Sequence, residues 1–169
     1  YQKPIIIDEL CYEGNISSHW GCITPQEMVR RFWETTLRGG YAGHGETYVH
    51  PQDILWWSHG GKLHGDSPAR LKFLHEILEQ LPPGGLAYAG RRVCVNQEKQ
   101  PGGKSVRIEY LGKSCPSFMK YQLEEGRYQV EVIDTWNMTI EDLGEFGPEF
   151  TVDLPSREYM AIRITRLGD

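Results

Sequence analysis

Lys3-Pro4-Ile5-Ile6-Ile7-Asp8-Glu9 sets three consecutive β-branched apolar residues directly before two acids. Such a run reads as a strand buried on both faces, the pattern of a parallel sheet. The acids mark where the strand leaves the core. A buried parallel strand needs neighbours on both sides, and this one begins within a few residues of Tyr1. The expectation is therefore that flanking strands lie outside the chain. Whatever part of the layer the chain itself supplies should then show apolar faces and unpaired edges, prone to association with another copy.

Downstream of this strand the pattern turns helical. Ile23-Thr24-Pro25-Gln26-Glu27-Met28 is a helix start: Thr24 as N-cap, Pro25 at the first helical position, Glu27 placed for a capping box. Met28, Val29, Phe32, Trp33 and Leu37 form its apolar stripe, and Gly39-Gly40 ends it. A second helix is predicted from about Pro68 to Gln80 with Ser67 as cap, carrying Leu71, Leu74, Ile77, Leu78 and Leu81 inward. Leu81-Pro82-Pro83-Gly84-Gly85 then changes the character of the chain. Beyond it only strand-like runs occur. Val106, Ile108 and Tyr110 alternate with polar residues, as do Tyr128, Val130 and Val132, and Met160, Ile162 and Ile164. Turn signals separate them, the rhythm of a small antiparallel sandwich. The division expected is 1–83 and 84–169.

Composition narrows the function classes. With 39% hydrophobic and 24% charged residues a packed core is feasible. The net charge of -5 and the lack of a Lys/Arg-rich run argue against nucleic acid as partner. No apolar stretch is long enough to span a bilayer, so no membrane role is expected. The first segment is strand-like, unlike a signal peptide. For a fragment this leaves cytoplasmic and secreted placement both open. Cys11, Cys22, Cys94 and Cys115 sit at irregular spacings without a C-x-x-C pair, and are expected to be free or incidental.

Three constellations could carry chemistry. In the first, Glu9 stands at the tip of a buried strand, where (β/α) barrels place catalytic groups. Asp8 and Glu9 point to opposite faces, so only one can enter a cleft. Glycoside hydrolysis needs a pair of carboxylates, and Glu9 could be one. Glu13 could bind a sugar hydroxyl or orient Glu9. The plainer reading is that both are loop acids capping a helix or pairing with Arg30 or Arg38. In the second, Gly39 to Tyr48 combines glycines with His44, Glu46 and Tyr48 at alternate positions, a face able to hydrogen-bond a polyhydroxylated ligand. It also reads as a glycine-rich connection with polar residues in solvent. In the third, Trp56-Trp57-Ser58-His59-Gly60-Gly61 offers an indole platform for a pyranose face, with one tryptophan expected there and one in the core. Tyr12 and His64 complete the expected sugar-binding set. His44, His50, His59 and His64 are too loosely spaced for a zinc motif, so no metal and no cofactor is assigned. Trp136, between short polar residues, is expected to pack between the sheet and the preceding helical part.

Taken together these stretches resemble a known family. Lys3 to Glu9, followed by Tyr12-Glu13-Gly14, is similar to strand seven of the apiosidase-like, cellulase-related glycoside hydrolases of bacteria. Thr24 through Tyr48 resembles helix seven and strand eight, and Trp56 to Leu81 the last active-site loop and helix eight. The remainder resembles the small β-sandwich of unknown function that follows this barrel. The resemblance implies an α+β fragment: the last β/α units of a TIM (β/α)8 barrel, then an antiparallel β-sandwich. It implies a retaining mechanism with Glu9 as nucleophile, acting on plant or microbial oligosaccharide or polysaccharide. The matching acid/base, an Asn-Glu pair on strand four, has no counterpart in these residues. The isolated chain is therefore expected to be inactive, with carbohydrate and the upstream barrel half, or another copy, as partners. The competing reading is a non-catalytic carbohydrate-binding or structural module. A His-dependent metalloenzyme is a weaker third.

Overall fold

The computed structural model describes residues 3–49, 51, 62–82, 86–90, 93–97 and 105–168. It begins with a β-α-β unit. Strand β1 (Ile5–Ile7) is followed by a two-residue strand β2 (Glu13–Gly14) and a 3-10 turn at His19–Gly21. Helix α1 (Pro25–Leu37) then returns the chain to β3 (Gly40–Ala42) and β4 (Glu46–Thr47). The strands pair in parallel, β1 with β3 and β2 with β4. Residues 5–14 and 40–47 thus run side by side, and Gly43 N–H bridges the two short ladders by donating to Ile7 at 3.0 Å.

Helix α1 starts where its local signals place it. Thr24 Oγ1 accepts from the Glu27 N–H at 3.2 Å, and Pro25 opens the first turn. The reciprocal half of the capping box is replaced: the Glu27 carboxylate takes Arg30 and Arg31, with Lys113 3.5 Å away. Helix α2 (Ser67–Glu79) has Asp66, not Ser67, at the N-cap, and no side chain caps it locally. Its first N–H groups are taken by a residue far upstream, described below.

The rest is antiparallel. Strands β5 (Ala87–Gly90), β6 (Val93–Gln97) and β7 (Ser105–Tyr110) lead to β8 (Phe118–Gln122) and β9 (Arg127–Asp134). Strands β10 (Thr139–Phe146), β11 (Glu149–Asp153) and β12 (Met160–Gly168) complete the chain. Among the described residues they form a six-stranded sheet, ordered β10-β9-β12-β7-β6-β5, and a separate β11-β8 ribbon.

The period-two pattern gives this sheet two apolar faces. On one, Val106, Ile108, Tyr110, Ile133 and Ala161 pack against Val29, Trp33, Leu37, Leu74 and Ile77 of the two helices. On the other, Tyr128, Val130, Val132, Ile162 and Ile164 pack under Tyr121 and Val152 of the ribbon. The helical part and the sheet on either side of residue 83 therefore share one core. Trp136 packs against that core, and the Arg70 guanidinium lies 4.0 Å over its ring.

Strand β1 departs from the buried-on-both-faces reading. Ile5 and Ile6 are 63% and 64% exposed, and Tyr41 on β3 is 65% exposed. The physical reason is simple: among the described residues β3 alone borders β1. Neither helix is long and apolar enough to cross a membrane.

Candidate functional site

Glu9 leaves β1 after a bend at Asp8 and stands exposed. The chain then turns through Cys11, whose φ of 66° lies in the left-handed region. This turn brings Tyr12 back beside Glu9. Together with Cys11 and Trp20 they line an open cavity of about 460 Å³. Trp20 stands edge-on to Tyr12, with ring centroids 6.0 Å apart at 88°. Its carbonyl accepts from Tyr12 N–H at 2.6 Å, and Tyr12 carbonyl accepts from Ile23 N–H at 3.2 Å. These bonds fix the aromatic wall. Arg31 of α1 donates to the Leu10 carbonyl and braces the same turn from below. Burial, the charge of Glu9 and a hydrogen bond to it hold the Tyr12 phenol above its ordinary value of 10.

Tyr12 also needs Gly45 beneath it. A β-carbon at Gly45 would stand 2.5 Å from the Tyr12 ring, so only glycine lets the ring lie there.

Glu13, His44, Glu46 and Tyr48 come together behind this wall. The parallel register sets Glu13 directly opposite Glu46, so both carboxylates leave the same face. Both turn inward, with Glu13 0% and Glu46 5% exposed. Glu13 Oε1 accepts from Tyr48 Oη and from Asp66 N–H, each at 2.8 Å, and Oε2 accepts from Ser67 N–H at 3.1 Å. Glu46 Oε2 accepts from the N–H groups of His64 and Gly65 at 2.8 and 3.0 Å. The two acids thus gather the four backbone donors that lead into α2, where the helix dipole favours negative charge.

His44 Nε2 lies 3.0 Å from Ser67 Oγ and 4.0 Å from Glu46 Oε1. Burial lowers the His44 pKa, against the opposite pull of Glu46 and Glu13. Burial, with the hydrogen bond to Glu13 and the charges of Glu13 and Glu46, raises that of Tyr48 well above the phenol range. Cys11, Cys22 and Cys115 are free thiols. Trp56, Trp57, His50 and His59 lie outside the described residues.

The expected sugar-binding set therefore divides in two. Glu9 and Tyr12 share an open groove. Glu13, His44, Glu46 and Tyr48 share a closed cluster, which His64 joins through its backbone. Trp20 and Gly65 were not singled out from sequence, and Ser67 only as a helix cap. Trp20 lacked a motif, and Gly65 and Ser67 donate to acids 19 and 54 residues upstream.

Residues 94–165 match the family described as Domain of unknown function (DUF5605). No curated protein matches the chain. Among solved structures the chain is similar to a "putative glycoside hydrolase" from Bacteroides vulgatus, with 28% identity and a TM-score of 0.83. That likeness covers 99% of this chain and 37% of the other. A glycoside hydrolase family 5 structure, also from Bacteroides vulgatus, is 14% identical with a TM-score of 0.64, covering 97% of this chain and 41% of its own. A further structure described as a glycoside hydrolase is 14% identical, with a TM-score of 0.61 and coverages of 97% and 42%. The chain therefore spans about two fifths of these proteins. It is a small mixed α+β fold, structurally related to glycoside hydrolases.

Proposed function

We propose that this chain is the C-terminal part of a retaining glycoside hydrolase. In this reading residues 1–83 close a (β/α)8 barrel and residues 84–169 form an accessory β-sandwich. The observation that carries it is the placement of Glu9: an exposed carboxylate just past the C-terminal end of a parallel strand, in a groove it lines with Tyr12 and Trp20.

Glu9 attacks the anomeric carbon of a bound glycoside while the leaving oxygen takes a proton from a general acid. Water then releases the sugar from the glycosyl-enzyme. Tyr12 lines the groove beside the Glu9 carboxylate. Tyr12, Trp20, Trp56 and Trp57 are the proposed sugar contacts. Glu13, His44, Glu46, Tyr48 and His64 serve the sugar site indirectly, by holding the start of α2. The substrate class is plant or microbial oligosaccharide or polysaccharide. The general acid, on the order of 10²–10⁴-fold in rate, comes from a strand outside these residues.

The test uses the chain and its longer parent side by side. The parent should hydrolyse aryl glycosides and lose turnover in Glu9→Gln, and a fluorosugar inactivator should label Glu9, as seen by peptide mass. The chain alone should show none. Turnover by the chain alone that Glu9→Gln abolishes would overturn its dependence on an outside acid. A parent whose turnover is unchanged in Glu9→Gln would overturn the nucleophile. The aromatic groove also supports a second reading, a non-catalytic saccharide-binding module. Saccharide binding by the chain that survives Glu9→Gln, with an inactive parent, would establish it.

A further inference from the structure

We propose that Glu13, His44 and Glu46 form a binding site for a divalent transition-metal cation of the zinc class. One ligand atom from each lies within 4.8 Å of the others. The decisive feature is Glu46 Oε1. This oxygen is closed off from solvent and has no hydrogen-bond partner among the described residues, although its carboxylate is anchored through Oε2. A buried charged acceptor left unpaired is strongly disfavoured, so the position calls for a cation or a donor.

Charge balance points to a cation. The parallel register places two buried carboxylates side by side. Among the described residues no lysine or arginine pairs with either, and His44 is the one basic side chain within 4.0 Å of Glu46. The four backbone N–H groups supply partial charge to Glu13 and to one oxygen of Glu46, and none to Oε1. A divalent ion bound by Oε1, by the remaining lone pair of Glu13 Oε2 and by His44 Nε2 would neutralise both acids.

The donor set selects the kind of ion. Calcium and magnesium prefer all-oxygen surroundings, whereas an imidazole with two carboxylates suits zinc and its first-row neighbours. Bonds of about 2.0–2.2 Å place neighbouring ligand atoms roughly 3–4 Å apart. The 4.0 Å between His44 Nε2 and Glu46 Oε1 needs only a small side-chain adjustment. His44 retains one fifth of its side-chain surface in solvent, which gives the ion a route in. Ser67 Oγ lies 3.0 Å from Nε2, and this hydrogen bond gives way when Nε2 turns its lone pair to the ion. The spacing of His44 and Glu46 to Glu13 along the chain resembles no zinc motif. The site arises only once the two strands pair.

The full chain, stripped with a chelator, is titrated with zinc by calorimetry and with cobalt by visible absorption. One ion per chain should bind, with a cobalt spectrum of nitrogen and oxygen ligands and no thiolate charge-transfer band. Glu46→Gln preserves an acceptor for His64 and Gly65 N–H and should weaken zinc at least ~10-fold, as loss of a ligand exceeds the effect of losing a ligand's support. His44→Ala, at a half-buried position, should do the same and carries the test if Glu46→Gln fails to fold by circular dichroism. No saturable zinc binding by the wild-type chain would overturn the proposal. So would equal zinc binding by both variants, or a cobalt–thiolate band, either of which places the ion elsewhere.

Discussion

Glu13 accepts hydrogen bonds from Tyr48 and from the backbone of Asp66 and Ser67, the latter two 53 and 54 residues away in sequence. A single side chain thus does what a local cap does for most helices. Its removal strands three donors at once. Each stranded buried donor costs about 1–3 kcal/mol. Glu13→Ala should therefore lower stability by roughly 3 kcal/mol or more, read as a shift in the urea midpoint, while Glu13→Gln should lose less because its amide oxygen still accepts. Gly65 provides an independent check, because a β-carbon there would stand 2.4 Å from Glu13 Oε1. Gly65→Ala should cost about 1–3 kcal/mol by overpacking. A Gly65→Ala variant that melts like the wild type would show that the carboxylate does not lie under the α2 entrance. Sequence reading treated Glu13 as an acid near a sugar. It could not reveal the inward turn, because that depends on the register of two parallel strands joined by a helix.

At the level of elements, the two helices differ in how much of their origin is local. Helix α1 was readable in sequence because Thr24, Pro25 and the apolar stripe all act within a few residues. Helix α2 was readable in its apolar spacing to within one residue at each end, and its cap was placed at Ser67 rather than Asp66 because the acceptors for its first N–H groups are remote. The α1 surface carries a further consequence. Hydrogen bonds from Arg30 lead the causes that hold the Glu27 carboxyl well below its ordinary 4.5, at about 2, with Arg31 adding to them against the cost of burial. A carboxyl whose pKa is depressed by folding contributes stability above its unfolded value, and that contribution disappears as pH falls through the folded one. Wild-type stability should therefore fall between pH 4.5 and 2 by more than that of Glu27→Gln. At pH 7 the variant should be weaker by about 1 kcal/mol, the scale of a partly exposed ion-pair network. Parallel acid-melting curves for both proteins over that window would not occur if Arg30 and Arg31 hold Glu27 as described.

For the whole molecule, alternation along the chain showed which strand residues face inward. It could not show that β12 lies between β7 and β9, or that the helices cover one face and the ribbon the other. Those are long-range choices that a period of two leaves open. The exposed isoleucines of β1 lie in a separate two-stranded sheet, where among the described residues β3 is their strand's single neighbour. A change of composition at residue 83 marks where helices give way to strands, yet the packing crosses that point. Trp33 is the test of how tightly. It is fully buried on α1 and stacks on Tyr110 of β7, ring centroids 5.2 Å apart at 24°. Trp33→Ala should cost about 3–5 kcal/mol. If one core binds helices and sheet, helical circular dichroism and the near-ultraviolet signal of the sheet aromatics should shift together, in a single transition at lower temperature. Two independently stable units would respond differently: the helical signal would fall early, and the sheet signal would keep its wild-type midpoint.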